Sequence, residues 1–202
     1  MAQKNGRIRY FCRFLLLVLL FATPAAAQQM PSWELFMGYS FQRSDVREYF
    51  KSTPIIYTFR GQYANLDGWE MSLTENRNRW FGGTLDFSGH YGTPRLAGIT
   101  NRERTHSVLY GPRFSYALPW ITPFVHALFG ITHTDVQVTP VGPHASDLSL
   151  AAAAGGGLDI RLGSKAAVRL FQAEYIRNNT LGTRPHGLRA SAGFVFNLGS
   201  RK

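Results

Sequence analysis

The sequence predicts an all-β fold, an eight-stranded antiparallel up-and-down barrel. Apolar and polar residues alternate with a period of two over most of the chain, which is typical of strands with two different faces. The 20 Gly and 10 Pro are spread along all 202 residues and disfavour long helices. No stretch after residue 28 approaches the ~18 consecutive apolar residues of a membrane helix. With 45% hydrophobic and 17% charged residues, the chain is also too apolar to be disordered.

Residues 1–27 have the layout of a secretory signal peptide. A basic stretch from Lys4 to Arg13 precedes an apolar run over 14–22, and Ala25 to Ala27 offer a small-residue cleavage site. The segment holds four of the 22 basic residues and none of the 12 acidic ones, so cleavage lowers the formal charge from +10 to +6. That weakens a nucleic-acid interpretation. The single Cys, Cys12, leaves with the signal, so residues 28–202 form a barrel domain without disulfides or a thiol nucleophile.

Eight segments carry the strand pattern. They run approximately over 33–43, 68–76, 80–92, 105–118, 122–136, 147–162, 165–177 and 187–199. Three consecutive glycines, Gly155 to Gly157, argue against a helix and suit a tightly curved strand. Long connections, near 44–67, 93–104, 137–146 and 178–186, alternate with short ones near 77–79, 119–121 and 163–164. This alternation is typical of an up-and-down barrel with its short turns at one end and its long loops at the other.

The distribution of side chains between the two faces favours a transmembrane barrel. Large apolar residues such as Trp69 and Phe129 share one face, whereas charged residues of both signs share the other. Eight strands enclose too little room for so many rings, so the apolar face should contact lipid. Aromatic residues also form two bands that suit the membrane interfaces. The band at the short turns comprises Trp33, Trp80, Phe81, Tyr116, Trp120 and Phe124, and the band at the long loops comprises Tyr39, Phe41, Trp69, Tyr91 and Tyr110.

The polar face predicts a network of charges inside the barrel. We expect the acids Glu34, Glu70, Asp86, Asp159 and Glu174 to pair with Arg113, Arg161 and Arg189. Arg169 and Glu174 have opposite parity, so both face inward only if a β-bulge separates them, and the register of strand 165–177 stays open. The composition fits either a plug of ion pairs or a narrow ion path.

The C-terminal third carries a family resemblance. The stretches Gly155 to Arg161, Val168 to Tyr175 and Leu188 to Phe196 resemble the last three strands of the bacterial outer-membrane β-barrel domain family related to the OmpA transmembrane domain. The resemblance implies an eight-stranded barrel in the outer membrane of a Gram-negative bacterium, inserted by the barrel-assembly machinery, with short turns in the periplasm and long loops outside. The chain departs from the family in ending on Lys202 instead of an aromatic residue, although Phe196 is close to the end. It has no room for the peptidoglycan-binding domain of OmpA, so we expect no cell-wall tether.

Basic residues in the first two long connections suggest a surface role. Arg47, Lys51, Arg60, Arg95, Arg102 and Arg104 would form a basic rim outside the membrane. Such a rim attracts lipopolysaccharide phosphates or an acidic partner. The sequence therefore predicts a structural or surface-binding barrel in contact with outer-membrane lipid and lipopolysaccharide. A small porin-like channel and a lipid A-modifying enzyme are the alternatives.

Catalysis has little support in the sequence. Ser107 beside His106, and Ser146 with His144 and Asp147, contain the ingredients of a nucleophilic site without its motif context. No His, Asp or Glu spacing resembles a metal site. We expect no enzymatic activity and no cofactor. We also expect a monomer, because a closed barrel leaves no strand edge to be covered by a partner.

Heat-modifiable migration tests the membrane assignment. A folded membrane barrel should resist detergent, so the mature protein from an outer-membrane fraction should migrate differently on a gel before and after boiling. A soluble periplasmic protein without such a shift would contradict the inverted placement of apolar and charged faces.

Overall fold

The computed structural model describes residues 31–45, 63–96, 99–138, 144–179 and 186–199. Nine strands occupy these ranges: β1 (Trp33–Asp45), β2 (Tyr63–Asn76), β3 (Phe81–Gly92), β4 (Arg95–Leu96), β5 (Ile99–Ser115), β6 (Ile121–Val138), β7 (His144–Arg161), β8 (Ala166–Asn178) and β9 (His186–Leu198). The expected signal peptide, residues 1–27, and the rim residues Arg47, Lys51 and Arg60 lie outside the described residues. No helix in the described ranges is long and apolar enough to cross a membrane.

Eight of these strands form one closed antiparallel barrel. Sequential strands pair from β5 through β9, β9 pairs with β1, and β1 pairs through β2 with β3. Pairing of β3 with β5, from Phe81 opposite Phe114 to Gly92 opposite Glu103, closes the ring. The two-residue β4 folds back on the start of β5. The predicted eight-stranded up-and-down barrel is therefore confirmed.

Several strands extend farther toward the long connections than the sequence pattern predicts. Strand β5 begins at Ile99, and its pairing with β6 reaches Asn101 opposite Val138. The expected loop over 93–104 is therefore wrong for most of its length. Alternation continues through the charged stretch, because Glu103 is buried inside while Arg102 and Arg104 are exposed outside. Arg102 and Arg104 lie on β5 and Arg95 lies on β4, so these rim residues belong to strands and not to a loop.

The two faces of the barrel are inverted relative to a soluble protein. Outward-facing side chains such as Tyr110, Phe129 and Leu150 are 63%, 64% and 72% exposed. Inside, Glu70 and Arg189 are 1% and 0% exposed. An apolar exterior around a charged interior is the arrangement of a barrel whose outer surface contacts lipid.

Candidate functional site

Two clusters of charged side chains fill the interior. The lower cluster, toward the short turns, consists of Glu34, Arg113, Asp159 and Arg169. Arg113 donates from Nη1 to Glu34 Oε2 over 2.8 Å and from Nη2 to Asp159 Oδ2 over 3.2 Å. Arg169 donates from Nε and Nη2 to the two oxygens of Asp159 over 2.8 and 3.1 Å. Two guanidinium groups thus neutralise two carboxylates, and the planar fork of Arg169 fits one of them in a bidentate pair.

Aromatic rings cover the arginines of the lower cluster. The guanidinium carbon of Arg169 lies 4.2 Å from the ring centre of Phe36 and 4.3 Å from that of Phe124, and Arg113 lies 4.2 Å from Phe124. These are cation–π contacts in a site without bulk water. Phe124 is only 4% exposed, so its predicted place in the interfacial aromatic band is wrong. Its parity on β6 is that of the inward His126, and Gly157, its cross-strand neighbour, leaves room for the ring.

The upper cluster surrounds Arg189 with Glu70, Asp86 and Glu174. Arg189 donates from Nη2 to Asp86 Oδ1 and to Glu174 Oε1, each over 3.0 Å, and from Nε to Glu174 Oε2. Its Nε also lies 3.5 Å from Glu70 Oε2. The remaining nitrogen, Nη1, donates to Ser88 Oγ over 2.8 Å. A single guanidinium therefore joins acids carried by β2, β3 and β8 to β9.

Gln172 connects the two clusters. Its Oε1 accepts from Arg169 Nη1 over 2.7 Å, and its Nε2 donates to Glu70 Oε1 over 2.6 Å. Ser191 Oγ donates to the other oxygen of Glu70, and His126 Nε2 donates to Glu174 Oε1 over 2.7 Å. The interior is thus one continuous network of hydrogen bonds and ion pairs, and most of its polar atoms have a partner, which is the condition under which such a network stabilises the fold.

A bulge in β8 allows this network to form. The register of β8 against both neighbours shifts between Arg169 and Gln172, so that Leu170 and Phe171 together occupy the space of one residue. Both of these side chains are half exposed on the lipid side, at 53% and 51%. Arg169, Gln172 and Glu174 consequently all face inward, which strict alternation forbids.

Gly155 on β7 leaves room for another contact in the interior. It pairs with His126 on one side and with Glu174 on the other, and these two side chains meet across it. A Cβ atom on Gly155 would lie 2.2 Å from the backbone oxygen of Ala173 and 2.7 Å from Glu174 Cγ. The absence of a side chain therefore admits the contact between His126 and Glu174.

The structure brings together seven of the eight lumen residues named from the sequence. These are Glu34, Glu70, Asp86, Arg113, Asp159, Glu174 and Arg189, whereas Arg161 is half-buried at the short-turn end of β7. The sequence list omitted Arg169, Gln172 and His126. Parity alone identifies His126, which alternates with the outward Val125 and Ala127. Gln172 has the parity of Glu174 and follows from that residue, whereas Arg169 faces inward only because of the bulge, for which the sequence gives no separate signal.

The residues considered for catalysis do not assemble a nucleophilic site. Ser107 is buried and bonded to Thr132 Oγ1 over 2.9 Å, whereas His106 is exposed on the opposite face. His144 Nε2 bonds Asp135 Oδ2 over 2.5 Å, while Ser146 Oγ lies 3.5 Å from a different histidine, His133. A Ser–His–acid relay needs one histidine between the other two groups. Within the described ranges, no three His, Cys, Asp or Glu side chains are placed to hold a metal ion.

Residues 14–196 match the family model of the outer membrane protein beta-barrel domain. The chain belongs to this family. Among solved structures of the same fold are two of Ail, the attachment invasion locus protein of Yersinia pestis. One has 16% identity and a TM-score of 0.56. The other, in complex with the heparin analogue sucrose octasulfate, has 18% identity and a TM-score of 0.55. Each comparison covers 83% of this chain and 99% of Ail.

Neisserial surface protein A is a further structural relative, with 11% identity and a TM-score of 0.55 over 83% of this chain and 97% of the other. No protein of curated function matches the chain. At these identities the structural likeness shows the fold alone. Family membership makes this chain an outer-membrane barrel of the Gram-negative type.

Removing the charge at the centre of the upper cluster should destabilise the barrel. Arg189→Met leaves three buried carboxylates without their guanidinium partner, so we expect the free energy of unfolding to fall by about 3–5 kcal/mol. The exposed substitution Lys165→Met should change it by less than about 0.5 kcal/mol. Urea unfolding of the barrel in lipid vesicles measures both, and the double variant Arg189→Met with Glu174→Gln should recover part of the loss. Unchanged stability of Arg189→Met would contradict the role of the cluster.

A side chain at position 155 should also destabilise the interior. Gly155→Val inserts atoms between His126 and Glu174, and we expect a loss of about 1–3 kcal/mol. Ala154→Val, one residue away on the lipid-facing side, is the matched control and should have little effect. The same urea titration distinguishes the two, and equal stabilities would show that Gly155 is not needed for the contact.

Proposed function

We propose that this barrel is a surface-binding protein whose cationic outer end attracts phosphate- or sulfate-bearing saccharides, lipopolysaccharide in particular. The observation that carries the proposal is the outward face of the β4–β5 hairpin. Arg102 and Arg104 are exposed at alternate positions of β5, and Arg95 is exposed on β4, opposite Thr100. Because Glu103 faces the interior, its carboxylate does not lie between Arg102 and Arg104 on the outer surface.

The chemistry of the hairpin suits a polyanion. Guanidinium groups bind phosphate and sulfate oxygens through paired N–H donors, and several cations on one surface raise the rate of encounter. The cross-strand neighbour of Arg104 is Asp135, which is engaged by His144. Ail shares this fold and has been solved with sucrose octasulfate, so that molecule is a convenient probe for the arginines here.

The interior gives less support to a channel. The side chains at the centre, Glu70, Gln172, Glu174 and Arg189, are at most 2% exposed and bonded to one another, so they fill the cross-section. This arrangement supports a structural plug. The absence of enzymatic activity, insertion by the assembly machinery and the monomeric state stay predictions.

Binding of polyanions by variants tests the proposal. Replacing Arg95, Arg102 and Arg104 with Ser should weaken binding of sucrose octasulfate and of lipopolysaccharide about tenfold, if each arginine contributes about 0.5 kcal/mol. The measurement uses the barrel in phosphatidylcholine vesicles at low and high salt, since a charge interaction weakens with screening.

The matched control removes the same charge from the opposite end of the barrel. Arg77, Arg79 and Lys165 are exposed in the short turns, and their replacement with Ser should leave binding unchanged. An equal loss of binding in both triple variants would show that binding depends on net charge alone, and it would overturn the proposed site.

A further inference from the structure

An acidic residue lies on the outer surface beside the cations of the β4–β5 hairpin. Asp135 on β6 alternates with the buried Thr134, and it is the direct cross-strand neighbour of Arg104. Side chains at directly opposite positions of neighbouring strands have Cβ atoms about 4.5–5.5 Å apart, so the carboxylate of Asp135 is within reach of the guanidinium group of Arg104. An ion pair between them would cancel one of the cations on which the proposed polyanion binding depends.

Asp135 is bonded instead to a histidine on its other neighbouring strand. His144 is the first residue of β7, and its Nε2 lies 2.5 Å from Asp135 Oδ2. The side chains of His144 and Asp135 are 55% and 28% exposed, so solvent protons reach the pair. Within the described ranges, Asp135 forms its ion pair with this histidine, and Arg104 is left exposed on the surface.

Other charged or titratable groups also face outward around Asp135. They are Arg102, Arg104 and His106 of β5, Tyr91 of β3, His133 of β6 and His144 of β7. His106 Nε2 bonds Tyr91 Oη over 2.8 Å. His133 Nε2 lies 3.5 Å from Ser146 Oγ, on the side of β7. Among these histidines, His144 is therefore the one bonded to Asp135.

We propose that His144 is a pH-sensitive positioning residue for polyanion binding, a role that depends on the function proposed above. When protonated, it holds Asp135 away from Arg104 and leaves Arg104 available to a sulfate or phosphate group. A histidine gains its charge as the pH falls from about 8 to about 5. The protonated imidazole attracts the carboxylate by its charge as well as by a hydrogen bond, whereas the neutral ring provides the hydrogen bond alone. Polyanion affinity therefore rises on acidification, and His144 accounts for part of that rise.

Calorimetric titration of the barrel with sucrose octasulfate, in phosphatidylcholine vesicles at about pH 5.5 and about pH 8, provides the test. Sulfate esters keep their charge over this range, whereas a phosphate monoester loses a proton near pH 6, so this probe reports the titration of the protein alone. His144→Gln removes the titrating ring, Asp135→Asn removes the acid, and the double variant combines them. His186→Gln, at the start of β9, is the matched control. The heat shift on a gel verifies that each variant is folded.

At the lower pH, His144→Gln should weaken binding about twofold, which is the share of one arginine in the tenfold loss expected for three. At the higher pH it should bind like the unmodified protein. Asp135→Asn should bind at least as tightly as the unmodified protein at both pH values. Adding His144→Gln to Asp135→Asn should change nothing further, because no acid then competes for Arg104. His186→Gln should behave like the unmodified protein.

An equal loss from His144→Gln with and without Asp135→Asn would show that the ring contacts the anion itself, and it would overturn the proposed role. An affinity of the unmodified protein that does not rise on acidification would also overturn it. The triple Ser variant of Arg95, Arg102 and Arg104 separates this role from the proposed function. Normal binding by that variant removes the polyanion site altogether, whereas weakened binding together with an unaffected His144→Gln overturns the role of His144 alone.

Discussion

The guanidinium group of Arg189 is the interaction on which the interior depends. It is completely buried and lies within 3.5 Å of carboxylate oxygens from Glu70, Asp86 and Glu174. A barrel in lipid must place its polar residues inside, yet carboxylates without a counter-charge are costly to bury. Arg189 supplies one counter-charge that acids from three other strands share. The same contacts hold β2 and β3 to β8 and β9 across the barrel, so one guanidinium group both provides the counter-charge and links the strands.

Gln172 extends this arrangement to the other end of the lumen. Its amide group is a donor at one atom and an acceptor at the other, so it fits between Glu70 and Arg169, where a charged residue would repel one neighbour. The lower cluster then closes against the rings of Phe36 and Phe124. In this way side chains fill the centre of the barrel from the upper cluster to the lower one.

Period-two alternation was sufficient to predict the barrel and the side on which most residues lie. It succeeded for Glu34, Asp86 and Arg189 because a shift of one residue would place these charged side chains in lipid. The alternation of apolar and polar residues did not predict a strand where the residues are mostly charged. The charged stretch from Arg102 to Arg104 has the composition of a loop, yet its pairing with β6 makes it a strand.

Two further differences between expectation and structure concern the bulge in β8 and the position of Phe124. The bulge at Leu170 and Phe171 changes the parity of β8, and no turn residue marks it in the sequence. Phe124 has the inward parity of His126, so alternation on β6 places it correctly, and its assignment to the interfacial band followed from its aromatic ring and its position near a turn. The bulge depends on how β8 pairs with its two neighbours, and the sequence of β8 alone does not reveal it.

The extension of β5 into the charged stretch has a consequence for binding entropy. Side chains two residues apart on a strand are held about 6.6 Å apart along its axis. The backbone that carries Arg102 and Arg104 is already ordered by pairing with β6, so a ligand need not immobilise a loop when it binds. In the polyanion binding that we propose, this fixed spacing of the two cations would favour anions whose charges repeat at a similar interval over anions of equal charge that lack that repeat.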